Sequence, residues 1–230
     1  MKKRAAVLFT GGKDSTCAIQ LMRERGYSIA CLVTILSENQ ESYMLHTASI
    51  ETTKLSSIAL DIPLFVGRTK GIREEEVEDI SVSIDSARRE HEFGTIASGG
   101  NASNYQKVRI QSIADKLGLS LESPLWGVDQ SNYLHDLVRR GYKFILTSVS
   151  AEGLDKSWLG KEIDSNSVTE IISLSKRFGF NPSFEGGEAE TLVLDCPLFG
   201  KKMLRIVSSD IDWHGSYGRL MIKQVELVPK

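Results

Sequence analysis

Short apolar runs and amphipathic segments alternate along the first half of the chain. The apolar runs, which are typical of buried strands, lie at residues 5–9, 29–33, 62–66 and 95–97. The segments between them place apolar residues three and four positions apart, the spacing that defines one face of a helix. One such stripe comprises Val77, Ile80, Ile84 and Ala87. This alternation predicts an α/β fold in which a parallel sheet carries helices on both faces.

Polar and glycine-containing segments interrupt the pattern. Residues 35–47 are predicted to form a loop, and residues 67–71 a break between a strand and a helix. Pro124-Leu125-Trp126-Gly127 predicts the boundary between a domain of residues 1–125 and a second domain of residues 126–230. The second domain has predicted helices at 130–140 and 167–178, a predicted strand at 142–149, and mostly strand over 191–228. We therefore expect a smaller α+β domain after the parallel sheet.

The connection from the first strand to the first helix carries the strongest chemical pattern, Thr10-Gly11-Gly12-Lys13-Asp14-Ser15. Adjacent glycines accept positive φ and let the backbone approach a ligand closely. The first turn of a helix presents N–H groups that attract phosphate, and the lysine adds a positive charge. The alternative is a tight turn in which Asp14 or Ser15 merely caps the helix, a role that requires no glycine pair.

A second glycine turn, Ser98-Gly99-Gly100, follows the predicted strand at residues 95–97. In parallel sheets, ligands bind at the carboxyl ends of the strands, where the strand order reverses. Both glycine turns follow the carboxyl ends of predicted strands. Together they predict a nucleotide site at that edge of the sheet.

Composition narrows the classes of partner. A net charge of −2 over 230 residues provides neither a broad basic surface for nucleic acid nor a polybasic tail for a membrane. No apolar run approaches the roughly 18 residues that a membrane span requires. Cys17, Cys31 and Cys196 lie in apolar segments without CxxC spacing, which predicts buried thiols in a reducing, cytoplasmic location.

The first glycine turn resembles the PP-loop of the N-type ATP pyrophosphatases, with Thr10 in place of the usual serine. It is not a Walker A loop, because the residue after Lys13 is Asp14 and not serine or threonine. Over almost its whole length, the chain is similar to the archaeal diphthine–ammonia ligase family, also called the ATP-binding domain 4 type. The resemblance is carried by residues 10–15, 42–47, 98–100, 105–109, 124–127, 151–155, 158–160 and 185–191. The last stretch, Glu-Gly-Gly-Glu-Ala-Glu-Thr, points to this family, although Ala189 stands where an aromatic residue is usual.

This resemblance implies a HUP-like (adenine nucleotide alpha hydrolase-like) fold and an ATP-dependent enzyme that converts diphthine on elongation factor 2 to diphthamide. The diphthine carboxylate is adenylated, and ammonia then displaces AMP, with pyrophosphate as the other product. The implied cofactors are ATP and Mg²⁺. The implied ATP-binding residues are Thr10, Gly11, Gly12, Lys13, Asp14, Ser15, Ser98, Gly99 and Gly100. Lys13, Asp14 and Arg109 are the implied catalytic residues, and two roles remain open for Asp14, Mg²⁺ ligand or helix cap.

The resemblance also implies a site for the acceptor. The implied substrate-binding residues are His46, Tyr105, Gln106, Trp126, Glu152, Gly153, Trp158, Glu185, Gly186, Gly187, Glu188, Glu190 and Thr191. From the residues alone, the three glutamates at 185, 188 and 190 are better explained as a polar turn before a strand. The resemblance instead directs them to the trimethylammonium of diphthine, a group that aromatic faces such as Trp126 or Trp158 also bind.

The sequence has no N-terminal cysteine and no Cys/His pairing of glutaminase type. We therefore expect ammonia, ammonium or a separate donor protein to supply the nitrogen. Two other functions remain open: another PP-loop amidating enzyme, for example one acting on a cobalamin precursor, and a nucleotide-binding module without turnover. The Glu-Gly-Gly-Glu motif argues against the first, and the second domain with its loop motifs argues against the second. The oligomeric state, including a homo-oligomer, is left open.

Overall fold

The computed structural model describes residues 3–37, 50–72, 75–100 and 104–230. The chain divides into two compact units, Met1–Trp126 (unit 1) and Gly127–Lys230 (unit 2). The domain boundary predicted between residues 125 and 126 lies one residue before this division.

Unit 1 is built on a parallel sheet of five strands in the order β3-β2-β1-β4-β5. Its elements are β1 (Arg4–Leu8), α1 (Lys13–Glu24), β2 (Ser28–Ser37), α2 (Ile50–Leu60), β3 (Leu64–Thr69), α3 (Glu75–His91), β4 (Thr95–Ala97), α4 (Asn104–Leu117) and β5 (Ser120–Glu122). The chain passes from β1 to β2 and β3 on one side and then crosses to β4 and β5 on the other. Strand order therefore reverses between β1 and β4, the position at which open parallel sheets bind ligands.

Helices cover both faces of this sheet. On one face, α3 and α4 share a buried apolar cluster with Ala6 of β1 and Ile96 of β4. Ala5 and Val7 are also buried, and they face the opposite way because side chains alternate along a strand. The buried stripe of α1 covers that second face. Both faces of β1 are thus apolar.

Three details of unit 1 differ from the sequence-based predictions. β2 continues to Ser37, into residues predicted as a loop, because it pairs with β3 up to Thr69. β3 likewise runs through Gly67, where a break is predicted. Gly67 has no side chain, and a Cβ there would overlap Ser83 of α3, so the glycine lets α3 pack closely on the strand. β5 has no counterpart among the predicted strands, because three residues are too few to show a pattern.

Unit 2 contains a four-stranded antiparallel sheet in the order β7-β6-β9-β8. Its elements are α5 (Gln130–Arg139), β6 (Lys143–Val149), a short 3₁₀ helix (Lys156–Trp158), α6 (Ser165–Phe178), β7 (Ala189–Asp195), β8 (Lys202–Trp213) and β9 (Gly218–Pro229). The Asp164 carboxylate caps α6 by accepting from the Ser167 N–H, and Gly179 ends it with a φ of 79°. The predicted fold class, a parallel sheet with helices on both faces followed by a smaller α+β part, is confirmed.

The three cysteines are buried and form no disulfide, as predicted. Burial raises the pKa of Cys31 to about 12 and the pKa of Cys196 to about 11, because a thiolate loses its hydration in an apolar setting. Among the described residues, no helix has the length and apolar character needed to cross a membrane.

Candidate active site

The first glycine turn joins β1 to α1 at the carboxyl edge of the parallel sheet. Gly11 has a φ of 81°, in the left-handed region that favours glycine. The N-cap of α1 is Gly12, and no side chain caps this helix. The alternative in which Asp14 or Ser15 caps the helix is therefore wrong. The start of α1 is therefore formed by backbone, an arrangement that suits an anion.

Two hydroxyl groups hold the shape of this turn. The Ser15 hydroxyl donates to the Gly12 carbonyl oxygen over 3.2 Å and accepts from the Thr10 backbone N–H over 3.3 Å. The Thr10 hydroxyl accepts from the Gly12 N–H over 3.4 Å. Threonine makes this bond through the same hydroxyl group that a serine would supply, so the departure at Thr10 leaves the turn intact.

Lys13 places a buried positive charge in the turn. Its side chain is 2% exposed, and 2.8 Å separate its Nζ from Asp14 Oδ2. A buried ammonium requires such a partner, because removing an ion from water costs several kcal/mol. The Asp14 side chain is 27% exposed, so the carboxylate connects the buried lysine with solvent.

The second glycine turn lies directly against the first. It follows β4, and the Ser98 N–H donates to the Glu122 carbonyl oxygen of β5 over 2.9 Å. A Cβ built on Gly99 would lie 2.7 Å from the carbonyl carbon of Asp14 and from the backbone nitrogen of Ser15. Only glycine fits this approach. The two turns thus form one backbone surface between β1 and β4, where the strand order reverses.

A small pocket opens beside the second turn. Its lining includes Ser98 and Gly100 of the turn, Gln106 and Lys107 of α4, and Trp126. Lys107 Nζ lies 3.7 Å from the centroid of the Trp126 ring, a cation–π contact, and Trp126 is 37% exposed. Gln106 and Trp126, two residues predicted to bind substrate, are therefore brought next to a turn predicted to bind ATP.

Sequence reasoning assigns no role to Lys107, although it stands in the 105–109 stretch that carries the family resemblance. A lysine in a largely polar helix cannot be distinguished by pattern from a solvated one, and only the position of Trp126 reveals its contact. Arg109, predicted to be catalytic, is partly buried on α4. His46 and the side chain of Tyr105 lie outside the described residues.

In unit 2, Glu188 organises the turn that precedes β7. Its carboxylate accepts from the Asn181 N–H over 2.8 Å and from the Gly186 N–H over 2.7 Å. A Cβ on Gly186 would lie 2.7 Å from this carboxylate, so the glycine leaves room for it. Two hydrogen bonds join Ser150, the residue after β6, to the same turn. The Ser150 N–H donates to the Glu188 carbonyl oxygen over 2.8 Å, and the Ser150 hydroxyl donates to the Gly187 carbonyl oxygen over 2.9 Å.

Glu190 begins a row of polar residues across the sheet of unit 2. It pairs with Ser148 of β6, whose hydroxyl accepts from the Glu190 N–H over 3.1 Å. Ser148 pairs in turn with Arg219 of β9, and Arg219 pairs with Asp212 of β8. Directly paired residues share one face of a sheet. We call these four residues the polar row; within it, carboxylates stand at both ends and the guanidinium lies between them.

Residues one position along each strand face the other way. Val149 pairs with Ala189 and with Gly218, and the Val149 and Ala189 side chains are 1% and 4% exposed. Ala189, which departs from the family pattern, therefore lies in the interior of unit 2. Glu185 and Thr191, also predicted to bind substrate, are partly buried on either side of it.

Two other predicted substrate-binding residues make packing contacts within unit 2. Trp158 is 4% exposed, and Lys161 Nζ lies 4.4 Å from the centroid of its ring. Gly153 has a φ of 92°, and a Cβ there would overlap the ring of Phe178. Glu152, beside it, is exposed. These positions contribute to packing or to the surface of unit 2, and their role toward a substrate stays a prediction.

The predicted site residues thus fall into two groups, one in each unit. Within the described ranges, His, Cys, Asp and Glu side chains form no group of three or more that could hold a metal ion.

Two family models match the chain. The model described as diphthamide synthase N-terminal domain matches residues 3–121, and the model described as diphthamide synthase C-terminal domain matches residues 129–228. The chain belongs to the diphthamide synthase family. The family predicted from the sequence is thereby confirmed, and the two domain models of the diphthamide synthases fall on unit 1 and unit 2 respectively.

Curated relatives in this family carry the name diphthine–ammonia ligase. The human relative is 32% identical over 93% of this chain and 86% of that protein, and the bovine relative is 31% identical with the same coverage. The Schizosaccharomyces pombe relative is 31% identical over 91% of this chain, which spans 37% of that protein. The names of these relatives confirm the predicted enzyme class, an amide-forming ligase.

One solved structure is similar over most of the chain. It is titled "The crystal structure of predicted subunit of tRNA methyltransferase from Methanocaldococcus jannaschii DSM". The similarity covers 82% of this chain and 95% of that chain, with 22% identity and a TM-score of 0.40. A likeness at this level supports no statement about function.

Proposed function

We propose that this chain is an ATP-dependent diphthine–ammonia ligase that amidates the diphthine of elongation factor 2 to diphthamide. One observation carries the proposal: in a member of the diphthamide synthase family, the two glycine turns form one backbone surface at the point where the parallel strand order reverses. Unit 1 is the ATP-binding domain in this proposal, and unit 2 contributes contacts to the acceptor.

The first glycine turn is suited to the phosphates of ATP. Gly12 caps α1 without a side chain, so the positive end of the helix faces the turn, and the Lys13 ammonium, which is paired with Asp14, adds a buried cationic group. Thr10 and Ser15 maintain the loop, and Gly99 allows the second turn to approach it. The pyrophosphate portion is placed on the first turn and the α phosphate toward the second.

The reaction then has two steps. A carboxylate oxygen of diphthine attacks the α phosphorus, and the bond from that phosphorus to the pyrophosphate oxygen breaks, which leaves an acyl-adenylate. Ammonia attacks the carbonyl carbon, the bond to the AMP oxygen breaks, and the nitrogen loses a proton. Both the attacking group and ATP are anions, so the first step requires the cationic groups Lys13 and Arg109 close to the developing charge.

A magnesium ion fits the residues of the first turn. Mg²⁺ in nucleotide sites is usually bound by one or two carboxylates together with phosphate oxygens and water. Asp14 supplies one carboxylate beside the turn, and its side chain is 27% exposed. A bound Mg²⁺ would neutralise phosphate charge, while Lys13 and the backbone of the turn hold the phosphates in place.

On the acceptor side, the polar row and the neighbouring motif residues are the proposed contacts of diphthine. Glu190, which belongs to the motif of residues 185–191 and begins the polar row, is the proposed carboxylate contact of the acceptor. We expect Glu190→Gln to raise the KM for the acceptor while the Kd for ATP stays unchanged. Loss of ATP affinity with an unchanged acceptor KM would contradict this assignment.

The test of the proposed function measures products and stoichiometry. The chain is incubated with ATP, Mg²⁺, ¹⁵N-ammonium and diphthine-bearing elongation factor 2, without glutamine. We expect one AMP and one pyrophosphate for each ¹⁵N amide that mass spectrometry detects. Release of ADP and phosphate, or a requirement for glutamine, would refute the proposal.

A matched pair of lysine variants serves as the control. Lys13→Gln removes the buried charge of the first turn and should abolish AMP formation. Lys116→Gln removes an exposed lysine that pairs with Glu78 and should retain it. Equal activity of the two variants would contradict the role of the first turn.

A further inference from the structure

The indole of Trp126 already holds a cation. Lys107 Nζ lies 3.7 Å from the centroid of its ring, and Trp126 is 37% exposed, so solvent reaches the side chain. The corresponding pair in unit 2 is different: Trp158 is 4% exposed, and Lys161 Nζ lies 4.4 Å from its ring centroid. Of these two indoles, only that of Trp126 is accessible to a ligand.

The position of Trp126 links this cation site to the proposed chemistry. Trp126 and Lys107 line the same pocket as Ser98 and Gly100. That turn packs through Gly99 against the first glycine turn. A cation above the Trp126 ring therefore lies beside the surface proposed for the α phosphate, within unit 1.

The chemistry of diphthine demands a cation site in such a place. Its trimethylammonium is attached to the carbon that also bears the reacting carboxylate, so the two groups are only a few ångströms apart. Aromatic faces are a common means of binding quaternary ammonium, which has no N–H groups to donate. A site for this group must therefore adjoin the α phosphate, which the proposed function puts beside the second glycine turn and its pocket.

We propose that Trp126 binds the trimethylammonium of the acceptor and that Lys107 occupies the same ring face until the acceptor displaces it. The proposal rests on the proposed function and specifies where the acceptor headgroup binds. A primary ammonium is strongly hydrated and is carried on a flexible four-carbon stem, so it leaves the ring at little cost. A quaternary ammonium is weakly hydrated and gains more from the indole.

Substitutions of Lys107 and Trp126 should have opposite effects on the binding of a simple quaternary ammonium, tetramethylammonium. Tetramethylammonium is titrated into the ¹⁵N-labelled chain, and the backbone amide signals of Ser98 and Gly100, which line the same pocket in every variant, are followed against sodium chloride at equal ionic strength. We expect Lys107→Met to lower the Kd for tetramethylammonium by roughly 2- to 30-fold, the range of a cation–π contact. Trp126→Leu should abolish the binding, and Trp126→Phe should retain part of it.

Lys161→Met is the matched control, because it removes one positive charge from the other cation–π pair. It should leave the Kd for tetramethylammonium unchanged. The claim that the acceptor displaces Lys107 is wrong if Lys107→Met leaves the affinity for tetramethylammonium unchanged or weakens it. It is also wrong if Lys161→Met tightens tetramethylammonium binding equally. Tetramethylammonium binding that persists in Trp126→Leu would overturn the site itself.

Turnover provides a second measurement. Trp126→Leu should raise the KM for diphthine-bearing elongation factor 2 by a similar factor, without changing the Kd for ATP. An unchanged acceptor KM in an active variant would overturn the site and leave the ligase assignment standing. Conversely, tetramethylammonium binding needs no turnover, so a wild-type chain that binds it as expected and forms no amide would refute only the proposed function.

Discussion

The contact between the two glycine turns can be tested with a single methyl group. In Gly99→Ala, the new Cβ would lie 2.7 Å from the backbone of Asp14 and Ser15, whereas ordinary contacts begin at 3.4 Å, so the turns must separate by about 0.7 Å. The atoms it meets belong to the backbone and cannot rotate away. Overpacking of this kind costs about 1–3 kcal/mol. A displacement approaching 1 Å in a catalytic site can reduce the rate by about a hundredfold.

The same strand offers a matched control. Gly94 precedes β4 at the opposite end, and a Cβ built on it meets no atom within 4 Å. We expect Gly94→Ala to keep wild-type activity and Gly99→Ala to lose at least tenfold in amide formation. ATP affinity by calorimetry and urea unfolding separate a displaced turn from an unfolded chain. A folded Gly99→Ala variant with wild-type kcat/KM would refute the claim that the two turns form one site.

Three other predictions concern unit 2 and the cysteines. Glu188→Gln should lower the free energy of unfolding by about 1–3 kcal/mol, because one of two backbone N–H groups loses its acceptor; an unchanged urea midpoint would contradict this. Hydrogen bonds from the hydroxyl and the backbone N–H of Ser157 hold the pKa of Asp155 below its usual 3.8. That carboxylate therefore stabilises the fold above pH 3.8 and loses its effect as the pH falls through the lowered pKa. The difference in unfolding free energy between wild type and Asp155→Ala should shrink in acid, and unfolding curves at several pH values will measure it. At pH 8, Cys31 and Cys196 should react with a thiol reagent only after unfolding, since their pKa values are about 12 and 11; rapid reaction of the native protein would contradict their burial.

The sequence predicts the elements of unit 1 wherever apolar pattern and length are strong. β1 and the helix stripe of α3 follow directly from contiguous or periodic apolar residues. It also locates the first glycine turn, because its residues are adjacent in the chain and the chemistry is local. β5 and the extension of β2 escape such reasoning, since pairing with a neighbouring strand stabilises them and their own composition does not.

The roles of individual side chains in the site depend on tertiary structure. The sequence treats Glu188 as one of three similar glutamates, and only the fold of the turn brings the Asn181 and Gly186 N–H groups to its carboxylate. In the same way, no pattern distinguishes Lys107 from a solvated lysine, because its partner Trp126 lies beyond the end of α4.

The approach of the second glycine turn to the first is the clearest case. Each turn can be recognised alone as a strand followed by glycines. That Gly99 meets the backbone of Asp14 and Ser15 follows only from the order of the strands, which places β4 beside β1. Sequence determines the local conformations because they arise from neighbouring residues. Tertiary structure decides the site because its groups come from strands that are distant in the chain and adjacent in the sheet.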